Sequence, residues 1–163
     1  MEIQITQDLV QKKSITPNDA GCLKYIEDFL TQRGFMNETL TFGRVKNLWS
    51  VKRNKGPLLV FLGHVDVVPT GPENEWEHDP FSGYDDGTFI NGRGTGDMKG
   101  GIACFMSALS RIDVDSLNYS IGFLITADEE GPSKDGTVKV VEELLQRNET
   151  VSYTHLTLPT ILR

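Results

Sequence analysis

Apolar and polar positions along the chain change period several times, and each change marks an element. Ile5, Leu9 and Val10 recur at helical spacing within residues 3–12, which predicts a short amphipathic helix. Thr16-Pro17-Asn18-Asp19 has the form of a helix start: a threonine N-cap, proline at the first helical position and an acid in the first turn. Leu23, Ile26, Phe29 and Leu30 form the buried stripe, and Gly34 is placed to close this helix as its C′ residue. Residues 38–42 and 47–53 alternate loosely and read as strands, with 44–47 between them. After the turn Asn54-Lys55-Gly56-Pro57 comes Leu58–Asp66, LLVFLGHVD. An unbroken apolar run bounded by turn residues predicts a strand buried on both faces, in the middle of a sheet.

From Val68 to Gly96 the periodicity is lost. Prolines, glycines and Asp86-Gly87 mark a long irregular connection, of a kind that is uncommon in a compact domain and often functional. Trp76 and Phe81 read as packing anchors for it, and His78 as a solvated loop histidine. Met98, Ile102, Phe105, Met106 and Leu109 then space a helix beginning just after Asp97. Tyr119–Thr126 is a second apolar strand, delivering Asp128-Glu129-Glu130 and a Gly-Pro turn. Val138, Val141, Leu144 and Leu145 predict a last amphipathic helix ending near Asn148. Strands alternating with helices argue for an α/β sheet.

The 163 residues suffice for one packed domain, and no repeat is visible. The net charge of −7 offers nothing to a nucleic-acid backbone or an anionic membrane surface, yet suits a local site that collects cations. Cys22 and Cys104 are far apart, so neither a disulfide framework nor a thiolate zinc site is indicated. The first residues lack the apolar core of a signal peptide and no stretch approaches membrane-spanning length, which makes the cytoplasm the expected location.

Three clusters carry candidate chemistry. His64 and Asp66, two apart on a strand, project to the same side, where a carboxylate beside an imidazole can fix its tautomer or join the wider metal shell. Asp97 precedes a helix, and Glu129 and Glu130 follow the second apolar strand. Strand ends and the loops after them are where α/β proteins place their sites. Imidazole and carboxylates without thiols suit zinc, cobalt or manganese in a hydrolytic centre. Carboxylates converging on one spot repel unless they take up protons or a cation lies among them. The segment GRGTGDMKGG invites a phosphate-loop reading but lacks Gly-Lys-Ser/Thr and G-x-G-x-x-G, and Asp97 sits where an anion would bind.

In this order and spacing, GHVDVVP, the W-x-x-x-PF element at 76–81, GRGTGDMKGG and TADEEG resemble the zinc-dependent amidohydrolases and exopeptidases of the M20 metallopeptidase family. The resemblance covers residues 1–150. It implies the N-terminal part of a zinc-exopeptidase-like α/β catalytic domain, a central mixed sheet flanked by helices. It also implies two divalent metal ions, Zn2+ with Co2+ or Mn2+ as alternatives, and a cis peptide after Asp97. Carried over, His64 becomes a ligand of one ion, Asp97 the bridging carboxylate and Glu130 a ligand of the other. Glu129 becomes the general base and Asp66 the partner of the histidine. SITPNDAGC and DEEGPSKDGTVKVVE resemble the family members that act on N-succinyl-LL-2,6-diaminopimelate, a small-molecule substrate, in lysine and diaminopimelate biosynthesis. Another family deacylase, of the acetylornithine type, and a non-catalytic metal-binding module are the alternatives.

The resemblance stops near residue 151. Where the family runs through a strand into Gly-Glu-Pro, with a ligating glutamate, this chain has Leu158-Pro159. Residues 151–163 read as a foreign tail with His155 an accidental residue, and a native edge strand is the rival reading. The family's dimerisation domain, through which a homodimer is expected for the full-length enzyme, and a further histidine ligand lie beyond the tail. The expectations are a chain that is inactive by itself, binds metal weakly and exposes part of an apolar face.

Overall fold

The computed structural model describes residues 1–149. The expectations attached to 151–163, including the foreign tail, Leu158 and His155, fall outside them. Within them, helix α1 (Glu2–Val10) buries Ile5, Leu9 and Val10, as its spacing requires. Helix α2 (Cys22–Thr31) starts later than Thr16-Pro17 suggests. Thr16–Pro17 is a cis peptide in a turn that the Asn18 N–H closes on Ile15 O, Asp19 accepts from the Gly21 N–H, and Gly21 itself takes the N-cap position at φ +83°. The helix ends as expected. Gly34, at φ +77°, donates to Thr31 O, and the Phe35 N–H reaches back to Leu30 O, so two terminal carbonyls find partners.

Strand β1 (Met36–Phe42) and strand β2 (Val45–Lys52) form a hairpin whose turn is only Gly43-Arg44, shorter than the predicted gap. Strand β3 (Leu58–His64) leads into the long connection. That connection contains a minimal hairpin, β4 (Tyr84–Asp85) with β5 (Ile90–Asn91), before helix α3 (Gly100–Leu109). Strand β6 (Ser120–Thr126) and helix α4 (Thr137–Gln146) complete the described chain.

The larger sheet is mixed, in the order β1-β2-β6-β3, with β3 and β6 parallel and the other pairs antiparallel. This corrects the placement of the LLVFL run. Among the described residues β3 is an edge strand with Leu62 44% exposed, and β6 is the strand buried along its whole length. Alternation along β6 builds two cores. Ile121, Phe123 and Ile125 pack with α1, α2 and α3, while Leu124 joins Trp49, Leu58 and Val60 under α4. Gly122 faces the Trp49 indole so closely that a Cβ there would lie 3.0 Å from the ring. In α4 the buried pair is Val140 and Leu144. Val138 and Leu145, predicted to face inward, are 55% and 61% exposed, because a helix with one sheet beneath it buries a narrower stripe than its apolar residues offer.

The connection is pinned as expected. Phe81 is buried, and the Trp76 Nε1–H donates to Thr70 O. His78 is half-buried with its ring centroid 3.8 Å from that of Tyr84, so it is packed rather than merely solvated. Both cysteines are free thiols. No helix of the described residues is long and apolar enough to cross a membrane.

Candidate metal centre

The parallel pairing of β3 with β6 places their C-terminal ends side by side, with His64 opposite Thr126 and the Val65 N–H bonded to Thr126 O. Whatever follows each strand therefore meets its counterpart across one gap, as is general at this end of parallel strands. His64 ends β3, Asp66 lies two residues on, and Glu129 and Glu130 begin the loop after β6.

Asp66 has no exposed surface and organises the gap. Its carboxylate accepts the Glu129 N–H at 3.2 Å and the Glu130 N–H at 3.0 Å. Its backbone carbonyl lies 3.0 Å from His64 Nδ1, and its carboxylate 3.6 Å from the same nitrogen. With two acceptors facing Nδ1, that nitrogen carries the proton and Nε2 is turned into the site. Burial depresses the Asp66 side chain's readiness to ionise, yet the His64 ring and the two amide donors outweigh it and keep the carboxyl below its usual range.

Asp97 arrives from a third direction. Gly94, at φ +82°, turns the chain so tightly against Val67 that a Cβ there would lie 2.4 Å from Val67 Cγ1. The Asp97–Met98 peptide is cis, as the family resemblance implies, and α3 begins two residues later. Asp97 Oδ1 sits 2.9 Å from His64 Nε2, and Glu129 Oε2 3.7 Å from it. One ligand atom each from His64, Asp97 and Glu130 lies within 4.8 Å of the others. All five singled-out residues thus converge.

The electrostatics say what this arrangement wants. Burial would lower the His64 pKa, but Asp66 and then Asp97 raise it to about 9. Burial raises the Glu130 carboxyl, and Asp97, Glu129 and Asp66 push the same way against His64. Carboxylates are thus crowded around one imidazole with too little positive charge among them. A divalent cation relieves that repulsion, and a donor set of one imidazole and several carboxylates without thiolate fits one.

Two residues escaped the sequence reading. Asp128 is buried and accepts N–H bonds from Ser133, Lys134 and Asp135, tying down the loop that carries Glu129 and Glu130. Its place in an acidic triplet was visible but its inward direction was not. Lys99 has no exposed surface at all, and nothing in its sequence context distinguishes it from a surface lysine.

Residues 60–163 match the family model described as peptidase family M20/M25/M40. The chain belongs to this family. Relatives in the M20 family include the succinyl-diaminopimelate desuccinylase of Hydrogenovibrio crunogenus, 52% identical over 154 residues that make up 93% of this chain and 41% of that protein. The succinyl-diaminopimelate desuccinylase of Marinobacter nauticus is 48% identical over 153 residues, again 93% of this chain and 41% of the relative. The chain therefore spans about 41% of the length of these curated relatives. Among solved structures, human carnosine dipeptidase 1 matches with a TM-score of 0.80 at 20% identity, over 93% of this chain and 37% of its own. The M20 family metallo-carboxypeptidase Sso-CP2 of Sulfolobus solfataricus matches at 0.77 and 23%, over 90% of this chain and 35% of its own. At such identities the two structures speak to the fold alone, and they share it.

Proposed function

We propose that this chain is the N-terminal part of a metal-dependent amidohydrolase that cleaves N-succinyl-LL-2,6-diaminopimelate to succinate and LL-diaminopimelate, in the cytoplasm. The observation that carries the reading is the meeting of His64 Nε2, Asp97 and Glu130 within 4.8 Å, with Glu129 beside them. The relatives named succinyl-diaminopimelate desuccinylase, at 44–52% identity over 93% of this chain, support the choice of substrate.

His64, Asp97 and Glu130 would hold the metal, with zinc the preferred occupant and cobalt or manganese as substitutes. When bound, two divalent ions supply a Lewis acid for the amide carbonyl and lower the pKa of a water. Asp66 keeps one proton of His64 on Nδ1, so that Nε2 is the nitrogen that presents a lone pair to the site once its own proton is displaced. Glu129, whose side chain is 57% exposed, is free to reach the substrate while Glu130 is drawn inward. It takes the proton from the attacking water and delivers it to the departing amine, so the amide C–N bond breaks with no net proton change at Glu129. The full-length enzyme is a homodimer.

The test is a hydrolysis assay on the protein extended to the length of its relatives, offered succinyl-diaminopimelate and acetylornithine. Turnover of the succinylated substrate, and a loss of at least a thousandfold in kcat for Glu129→Gln with metal content retained, is the expected result. Preference for acetylornithine would move the assignment to another deacylase. Full activity in Glu129→Gln would remove the proposed base.

A further inference from the structure

Lys99 is the largest side chain among the described residues to be fully buried, and none of the roles above uses it. A lysine ordinarily keeps its ammonium in water even when its stem is covered, and a buried ammonium is costly unless it is held by acceptors. Lys99 Nζ donates at 2.9 Å to the backbone carbonyl of Lys12, just past the end of α1 and 87 residues away in sequence. Its backbone N–H bonds Gly94 O, also at 2.9 Å, so the same residue closes the 94–99 turn and threads a side chain beneath it. A Cβ on Gly94 would lie 3.5 Å from Lys99 Cδ and 2.4 Å from Val67 Cγ1, so the turn is sandwiched between the lysine stem and the chain leaving Asp66. Burial pulls the Lys99 pKa below its ordinary value, against the opposing pull of Cys22 and Asp66.

We propose that Lys99 is a positioning residue of the metal centre, clamping the 94–99 turn to the end of α1 and so fixing the Asp97 carboxylate opposite His64 and Glu130. The role rests on the metal reading of those three residues. It follows from geometry: the Asp97 side chain is 77% exposed and, among the described residues, hydrogen-bonds only His64, so its position is set by the turn that carries it. That turn is held on its inner side by one buried ammonium.

The experiment is a Co2+ titration of the chain followed by visible absorption, with thermal melting in parallel. Lys99→Met keeps the length and apolar volume and removes the donor. It is expected to weaken Co2+ binding at least tenfold and to change the band shape, with the far-ultraviolet circular dichroism of the parent retained. Leu144→Ala, buried on the opposite face of the sheet, is expected to lower the melting temperature while leaving Co2+ affinity and spectrum as in the parent. Lys99→Gln, a neutral donor too short to span to Lys12, is expected to behave as Lys99→Met and covers the case in which that variant does not fold. Parent-like affinity and spectrum in whichever Lys99 variant folds overturns the proposal, as does a loss no larger than that of Leu144→Ala. Co2+ binding that survives His64→Ala overturns the metal reading itself, and the role of Lys99 with it.

Discussion

His64 carries two obligations, one on each ring nitrogen. Nδ1 faces the Asp66 carbonyl at 3.0 Å, and Nε2 faces Asp97 at 2.9 Å, so without metal the ring is flanked by acceptors and holds its second proton up to a pH of about 9. This pKa lies above the ordinary 6.5, so the protonated ring stabilises the metal-free fold fully below pH 6.5, and that contribution fades as pH rises through about 9. A metal must displace the same proton. Zinc affinity is therefore expected to rise about tenfold per pH unit between pH 7 and 9, with close to one proton released per ion, by calorimetry in buffers of different ionisation enthalpy. Affinity independent of pH over that range would contradict a ligating Nε2. Asp66→Asn leaves an amide facing the Glu129 and Glu130 N–H groups and removes the charge beside Nδ1. We expect zinc affinity to fall about 10–100-fold, as for other partners of metal-bound histidines. His64 and Asp66 were legible as a pair because a strand puts alternate residues on one side. Lys99 and Asp128 were not, because burial of a charged residue depends on partners that only the fold supplies, a carbonyl 87 residues away for Lys99 and the N–H groups of the folded 133–135 loop for Asp128.

At the scale of elements, helices were easier to find than to orient. The stripe of α2 was read correctly except for its start, which the Asp19 turn and Gly21 at the N-cap postpone to Cys22. The period of α4 was right and its face was rotated, because Val138, Val141, Leu144 and Leu145 fit a helix as well as Val140 and Leu144 do. Leu144→Ala is accordingly expected to cost about 2–5 kcal/mol, a typical loss for a buried leucine, and Leu145→Ala less than about 0.5 kcal/mol. Urea unfolding of the two variants separates the alternatives, and equal losses would mean that the helix sits differently. The apolar run of β3 failed as a guide to position for a related reason. LLVFL is the more apolar run and SIGFLIT the less, yet pairing decides that β6 takes neighbours on both sides while β3 takes one.

For the molecule as a whole, that free side of β3 matters. Among the described residues nothing pairs with it, and it carries Leu62 at 44% exposure. An unprotected apolar edge is a template for another chain. We expect the 163-residue chain to self-associate at micromolar concentration and Leu62→Lys to reduce this without changing its circular dichroism, both read by light scattering. A parent that stays monomeric would contradict the prediction. The overall architecture was legible because alternating strands and helices allow few α/β arrangements. The meeting of the strand ends was legible because parallel strands deliver their ends to one place, so that Glu129, 63 positions from Asp66, becomes its neighbour, whereas Asp97 reaches His64, 33 positions away, on the turn before α3.

The most direct test of this convergence is the position of a bound ion. In a crystal of the chain grown with zinc, anomalous scattering at the zinc edge is predicted to give a peak about 2.1 Å from His64 Nε2 and within ligand reach of Asp97 and Glu130. Zinc found only elsewhere, with His64 still turned toward an empty Asp97, would contradict the account.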